Sequence, residues 1–155
     1  MKSLVFLVVM STSLSACAAN QPESDYEKLS RETPPASWNA SDWVFVALGE
    51  DNKVTRSLTL RFTNEPAETC IHGDWKKAEI LGDTKETSLT SAAEPAYMLN
   101  GRALTVGLSA NICDNYEEFQ GELSAKGFAG EHYVYGLDFF ENYGTVYGAR
   151  FISHK

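Results

Sequence analysis

The chain has 155 residues, with 13 Lys and Arg against 21 Asp and Glu, a net charge of −8 and 43% hydrophobic residues. That acidic balance repels phosphate backbones and anionic headgroups, which excludes nucleic acid as a partner. The apolar stretch Leu4–Met10 is too short for a membrane-spanning helix, which needs about 20 residues.

Lys2, the stretch Leu4–Met10 and the small residues behind it have the layout of a cleavable signal peptide over residues 1–16. Leu14-Ser15-Ala16-Cys17 closes that layout. The tetrapeptide resembles the lipobox of bacterial lipoproteins, in which Leu, a small residue and Ala or Gly precede an invariant Cys. The resemblance covers the first seventeen residues, and every motif position matches. It implies a diacylglycerol on the Cys17 thiol, cleavage between Ala16 and Cys17, and an N-acyl chain such as palmitate on the new amino group. The covalent lipid on Cys17 is the only attached group expected; no cofactor is. Each buried CH₂ contributes about 0.8 kcal/mol, so two or three chains hold firmly where one holds weakly. In many Gram-negative bacteria an Asp after the lipidated Cys favours inner-membrane retention. Here Ala18 and Ala19 stand there, so the resemblance implies an outer-membrane anchor with the domain facing the periplasm.

Lipidation of Cys17 also bears on cysteine parity. Of Cys17, Cys70 and Cys113, the last two are left to pair, and the oxidising periplasm favours a disulfide between them. Without residues 1–16 the chain holds 12 basic and 21 acidic residues, a net charge of −9. Residues 17–37 read as the lipidated N-terminus and a flexible tether, rich in Asn, Gln, Glu, Ser and Pro and poor in apolar groups. About 20 such residues have an r.m.s. span of roughly 25 Å. Residues 38–155 form one domain.

Most of that domain reads as strand. Trp43–Leu48 is apolar on both faces, and Gly49–Asn52 is a turn signal. Leu58, Leu60 and Phe62 alternate with polar residues, the period of a half-buried strand. Thr69–His72 and Lys76–Leu81 flank Gly73-Asp74, a turn or bulge. Asn100-Gly101 between Tyr97–Leu99 and Ala103–Leu108 is the strongest hairpin signal. In Asp114–Gly127 a capping-box pattern competes with a strand face of Glu117, Phe119, Gly121 and Leu123. Gly121 costs a helix about 1 kcal/mol, which favours the strand. Tyr133, Tyr135, Leu137 and Phe139 then alternate, Asn142-Tyr143-Gly144 reads as a turn, and Tyr147, Ala149 and Phe151 form the last strand face. Eight or nine short strands predict an all-β fold: a single small antiparallel β-barrel, an up-and-down meander similar to the lipocalin type in pattern alone. A β-sandwich of two sheets is the alternative.

No residue set announces catalysis. No GxSxG, P-loop or CxxC occurs, and His72, His132 and His154 lie far apart, so no catalytic residue is assigned and no enzyme is expected. Cys70 and His72 share a strand face and with Cys113 compose a zinc or copper donor set, but the disulfide is the preferred reading and no metal is expected. Carboxylates at Asp114, Glu117, Glu118, Glu122, Asp138 and Glu141 read as a solvated face. Aromatic residues crowd the C-terminal quarter. Among them Tyr133, Tyr135, Tyr143 and Tyr147 are the candidate binding residues, since a tyrosine joins an apolar body to a polar tip. The expected function is a non-enzymatic binding module of inhibitor, immunity or envelope-polymer type. Its partners are the membrane, through the lipid, and a protein or polymer of the envelope. The alternative is a carrier holding a small apolar ligand inside the barrel.

Overall fold

Alternation of apolar residues with polar or smaller ones sets the inward face of each strand. In β1 (Asp42–Leu48) Trp43, Phe45 and Ala47 are buried, and in β2 (Val54–Pro66) Arg56, Leu58, Leu60 and Phe62 are. The computed structural model describes residues 32–84 and 94–151. Residues 1–16, Cys17 and most of the tether therefore lie outside the described residues.

The remaining strands are β3 (Lys76–Asp83), β4 (Ala96–Asn100), β5 (Ala103–Gly107), β6 (Asn115–Leu123), β7 (Phe128–Gly136) and β8 (Phe140–Phe151). Each pairs antiparallel with its neighbour in sequence, and β1 closes on β8 from Asp42↔Phe151 to Leu48↔Thr145. The fold is thus the eight-stranded up-and-down barrel, and closure rules out the sandwich. Asp114–Gly127 resolves as strand β6 and a tight turn, with Glu117, Phe119, Gly121 and Leu123 on the inner face as the alternation predicts. Gly101, at φ 62°, is the first central residue of the β4–β5 hairpin, the position a type II′ turn reserves for glycine.

The bore is filled rather than hollow. Phe45 packs on Phe119 and Phe128 with ring centroids 5.9 and 5.4 Å apart, and Leu58, Leu60, Leu104, Val106, Leu123 and Val146 are fully buried around them. Each such side chain stabilises the fold by about 1.5–3 kcal/mol. One end is stoppered by the 3-10 turn Trp38–Ala40, whose Trp38 ring meets Phe62 at 4.9 Å and Tyr97 at 5.6 Å. Trp43 Nε1 donates to the Trp38 carbonyl at 2.8 Å and fixes that stopper. Glycines let a barrel this small bend. A Cβ on Gly130 would stand 2.3 Å from the Gln120 carbonyl oxygen, and one on Gly121 2.3 Å from that of Ala129.

Two secondary-structure expectations are corrected. Thr69–His72 is not a strand but part of the β2–β3 connection. It is held outside the sheet ladder: Cys70 N–H donates to the Ala110 carbonyl in the β5–β6 connection, and Thr69 Oγ1 donates to the Ile71 carbonyl. Asn142-Tyr143-Gly144 is not a turn but lies within β8, and the chain reverses at residues 137–139 instead. The register slips here, from His132↔Gly144 to Tyr133↔Asn142, so Tyr143 is the extra residue of a β-bulge. The glycine signal was real, since Gly144 has φ 116° and a Cβ there would meet the Leu48 carbonyl at 2.0 Å. It serves a bulge rather than a hairpin.

Among the described residues the shortest pairing is the β3–β4 seam, at Lys76↔Tyr97 and Lys77↔Ala96. Residues 67–75 fold over it on the outside, where Trp75 packs with Ala96, Ala110, Ile71 and Met98 in a second small core. Cys70 and Cys113 form the expected disulfide, with Cα atoms 5.3 Å apart. It ties the β2–β3 connection to the β5–β6 connection and so braces the seam. Both sulfurs are thereby withdrawn from the metal donor set with His72.

Candidate partner-binding face

Strands β6, β7 and β8 pair over most of their length, and their outward positions carry aromatics at one level of the barrel. Tyr116 lies opposite Tyr135, and Tyr135 opposite Phe140. The rings form a row: Tyr116 to Tyr135 is 5.1 Å, Tyr135 to Phe140 6.1 Å and Tyr133 to Phe140 5.2 Å. Phe140 is 67% exposed, and Leu137 and Phe139 in the adjoining β7–β8 turn are exposed as well. Large apolar side chains grouped in this way on a surface are the mark of an interaction site.

Carboxylates are woven between the rings. Tyr133 Oη donates to Glu131 Oε2, and Asn142 Nδ2 donates to the same oxygen at 2.9 Å. Glu118 is only 2% exposed and accepts from Gln120 Nε2 at 2.6 Å, with the Tyr135 phenol within its electrostatic reach; with the Glu117 side chain 14% exposed in the bore, the expected solvated carboxylate face does not hold for these two. Burial, and after it the Glu118 charge, push the Tyr135 phenol well above its ordinary range. The hydrogen bond to Glu131 raises that of Tyr133. Both hydroxyls therefore remain protonated donors at neutral pH. No family model, curated protein or solved structure matches this chain.

The four candidate tyrosines do not act as one group. Tyr133 and Tyr135 join the ring row. Tyr147 is 54% exposed on the same outward side but lies further along β8, opposite Val46 and Ala129. Tyr143, displaced by the bulge, instead places its ring 5.5 Å from that of His132. Interaction with Glu141 raises the pKa of its phenol. Tyr116, Phe140, Glu118 and Glu131 complete the face and were not singled out from sequence as binding residues. Their signal is the two-residue period itself: with Phe119 and Gly121 assigned inward, Tyr116, Glu118 and Gln120 must point out.

A second polar group closes the barrel end opposite Trp38. Arg56, 2% exposed, forks onto Asp83 through Nε at 3.1 Å and Nη2 at 2.5 Å, and reaches Glu117 Oε1 through Nη1 at 2.7 Å. His132 Nε2 lies 2.9 Å from the same Glu117 oxygen, and its ring stands edge-on to Phe119 at 5.1 Å. Burial opposes the Arg56 charge, but Asp83 and Glu117 outweigh it and hold the guanidinium above its ordinary pKa. These four side chains come from β2, β3, β6 and β7 and pair across the bore, while the buried His132 Nδ1 has no hydrogen-bond partner. The arrangement is a structural plug. An arginine among the inward positions Arg56, Leu58, Leu60 and Phe62 was the sequence signal for it, because a buried guanidinium requires carboxylate partners.

Proposed function

We propose that this chain is an outer-membrane-anchored periplasmic lipoprotein whose barrel is a non-enzymatic binding module. It engages a macromolecule of the envelope through the outward face of β6–β8. The observation that carries this reading is the row of Tyr116, Tyr135, Phe140 and Tyr133 in ring contact on the surface. Residues Leu14-Ser15-Ala16-Cys17 support the address and the anchor. The aromatic filling of the bore favours an outer-surface role over the carriage of a small apolar ligand inside it. The buried guanidinium of Arg56 is engaged by Asp83 and Glu117, which favours a structural role over catalysis for that group.

The test is capture from envelope extracts on the immobilised full chain. A specific macromolecule should be retained by the native chain and by E79Q on the far strand β3, and lost by the double variant Tyr135→Ser, Phe140→Ser. Clean negatives over a range of salt concentrations would defeat the proposal.

A further inference from the structure

We infer that the β6–β8 face takes a cationic, arginine-bearing segment of a protein partner. The inference rests on the binding reading above and names the class of partner.

The first argument is charge complementarity. Strands β6, β7 and β8 together contain Glu117, Glu118, Glu122, Glu131 and Glu141 but a single Lys or Arg, Arg150, near the far end of β8. Two of the five glutamates have cations: Glu117 meets Arg56, and Glu122 meets Arg102 at 2.8 Å. Among the described residues no Lys or Arg pairs with Glu118 or Glu131. Glu118 is 2% exposed, and its side-chain hydrogen bond comes from the neutral amide of Gln120. Buried carboxylates are ordinarily accompanied by a cation. A cation brought by a partner would fill that role.

Two phenols stand beside those carboxylates. Tyr133 donates its hydroxyl proton to Glu131, and Tyr135 lies within the electrostatic reach of Glu118. A phenol that donates to an anion gains electron density in its ring, and ring faces attract cations through their quadrupole. A carboxylate therefore stands near each of two half-buried phenols, at the hydroxyl edge in the case of Tyr133, and Phe140 adds a third, exposed ring in contact with both. A guanidinium fits this surface better than an ammonium. It is planar, stacks on an aromatic face, and still presents N–H groups at its edge to a carboxylate such as Glu131. A neutral or anionic glycan would gain from the rings but nothing from the buried charge.

The experiment titrates the purified full chain in detergent with hexa-arginine, hexa-lysine and soluble glycan fragments, following heat and backbone amide shifts. The expected result is saturable binding of hexa-arginine, weaker binding of hexa-lysine, and shifts concentrated at Tyr116, Glu118, Glu131, Tyr133, Tyr135 and Phe140. Glu131→Gln should weaken hexa-arginine about tenfold, the scale of a charged hydrogen bond, whereas E79Q, a matched loss of charge on β3, should not. Glu118→Gln supplies a second variant that keeps the hydrogen-bonding shape. Equal affinity for both peptides with shifts spread over the whole acidic surface overturns the inference, as does glycan binding at this face. If hexa-arginine leaves the face untouched while the Tyr135→Ser, Phe140→Ser chain still loses its envelope partner, the cationic class is wrong and the binding role stands. If both tests fail, the binding role falls as well.

Discussion

Replacing Cys70 and Cys113 together by serine leaves the β3–β4 seam with two paired positions and the small Trp75 cluster. The bond links residues 43 apart in sequence. A loop of that length removes roughly 4 kcal/mol of chain entropy from the unfolded state. With a urea m value of about 1–3 kcal/mol/M for a domain of this size, the midpoint should fall by about 2 M. Trp38, Trp43 and Trp75 are all buried, so their fluorescence reports the transition. Native chain unfolded in reductant should match the double variant. Hydrogen exchange of that variant should rise first in residues 67–75 and in β4, since the bond braces that region. A midpoint shift below about 0.5 M, or exchange rising uniformly over all eight strands, would refute the role assigned to the bond.

Arg56→Met leaves Asp83 and Glu117 buried without their cation and should cost about 3–5 kcal/mol in denaturant unfolding. The triple variant Arg56→Met, Asp83→Leu, Glu117→Leu should recover most of that loss, because no unpaired charge then remains; no recovery would show that the plug does more than satisfy itself. The Tyr135 phenol is raised on folding, so the folded state favours its neutral form. That contribution is intact below pH about 10, the ordinary phenol value, and is lost as pH climbs from there through the folded-state value. Tyr135→Phe should therefore flatten the alkaline fall in melting temperature, and an unchanged fall would assign it to other groups. A clickable palmitate analogue fed to cells should label the native chain and leave Cys17→Ser unlabelled; equal labelling would dismiss the lipid anchor.

Period-two alternation made the barrel readable. Leu58, Leu60 and Phe62, or Glu117, Phe119, Gly121 and Leu123, each declare one buried face, and β6 was recovered from that pattern against a competing helix cap. Glycine punctuation was readable only in kind. Asn142-Tyr143-Gly144 has the composition of a turn, yet a bulge needs the same positive φ, and only the register of β7 against β8 separates the two. Thr69–His72 has a strand's composition, but a disulfide and a hydrogen bond to Ala110 in the β5–β6 connection hold it as an irregular segment. The site was legible in part. Tyr133 and Tyr135 were found by type, whereas Tyr116 and Phe140 depend on which residues face each other across three strands. Tyr143 left the group when the bulge carried it to His132. Glu118 could not be recognised as a buried carboxylate from sequence, since its burial follows from its neighbours' rings rather than from its own strand.

A partner seated on the β6–β8 face should be captured by a photo-crosslinking phenylalanine analogue placed in turn at Tyr133, Phe140 and Glu79, in the full chain in source-cell envelopes. Tyr133 and Phe140 should each give one discrete adduct, and Glu79 none. Equal adducts from all three positions, or none from Tyr133 and Phe140 in a folded chain, would contradict that seating.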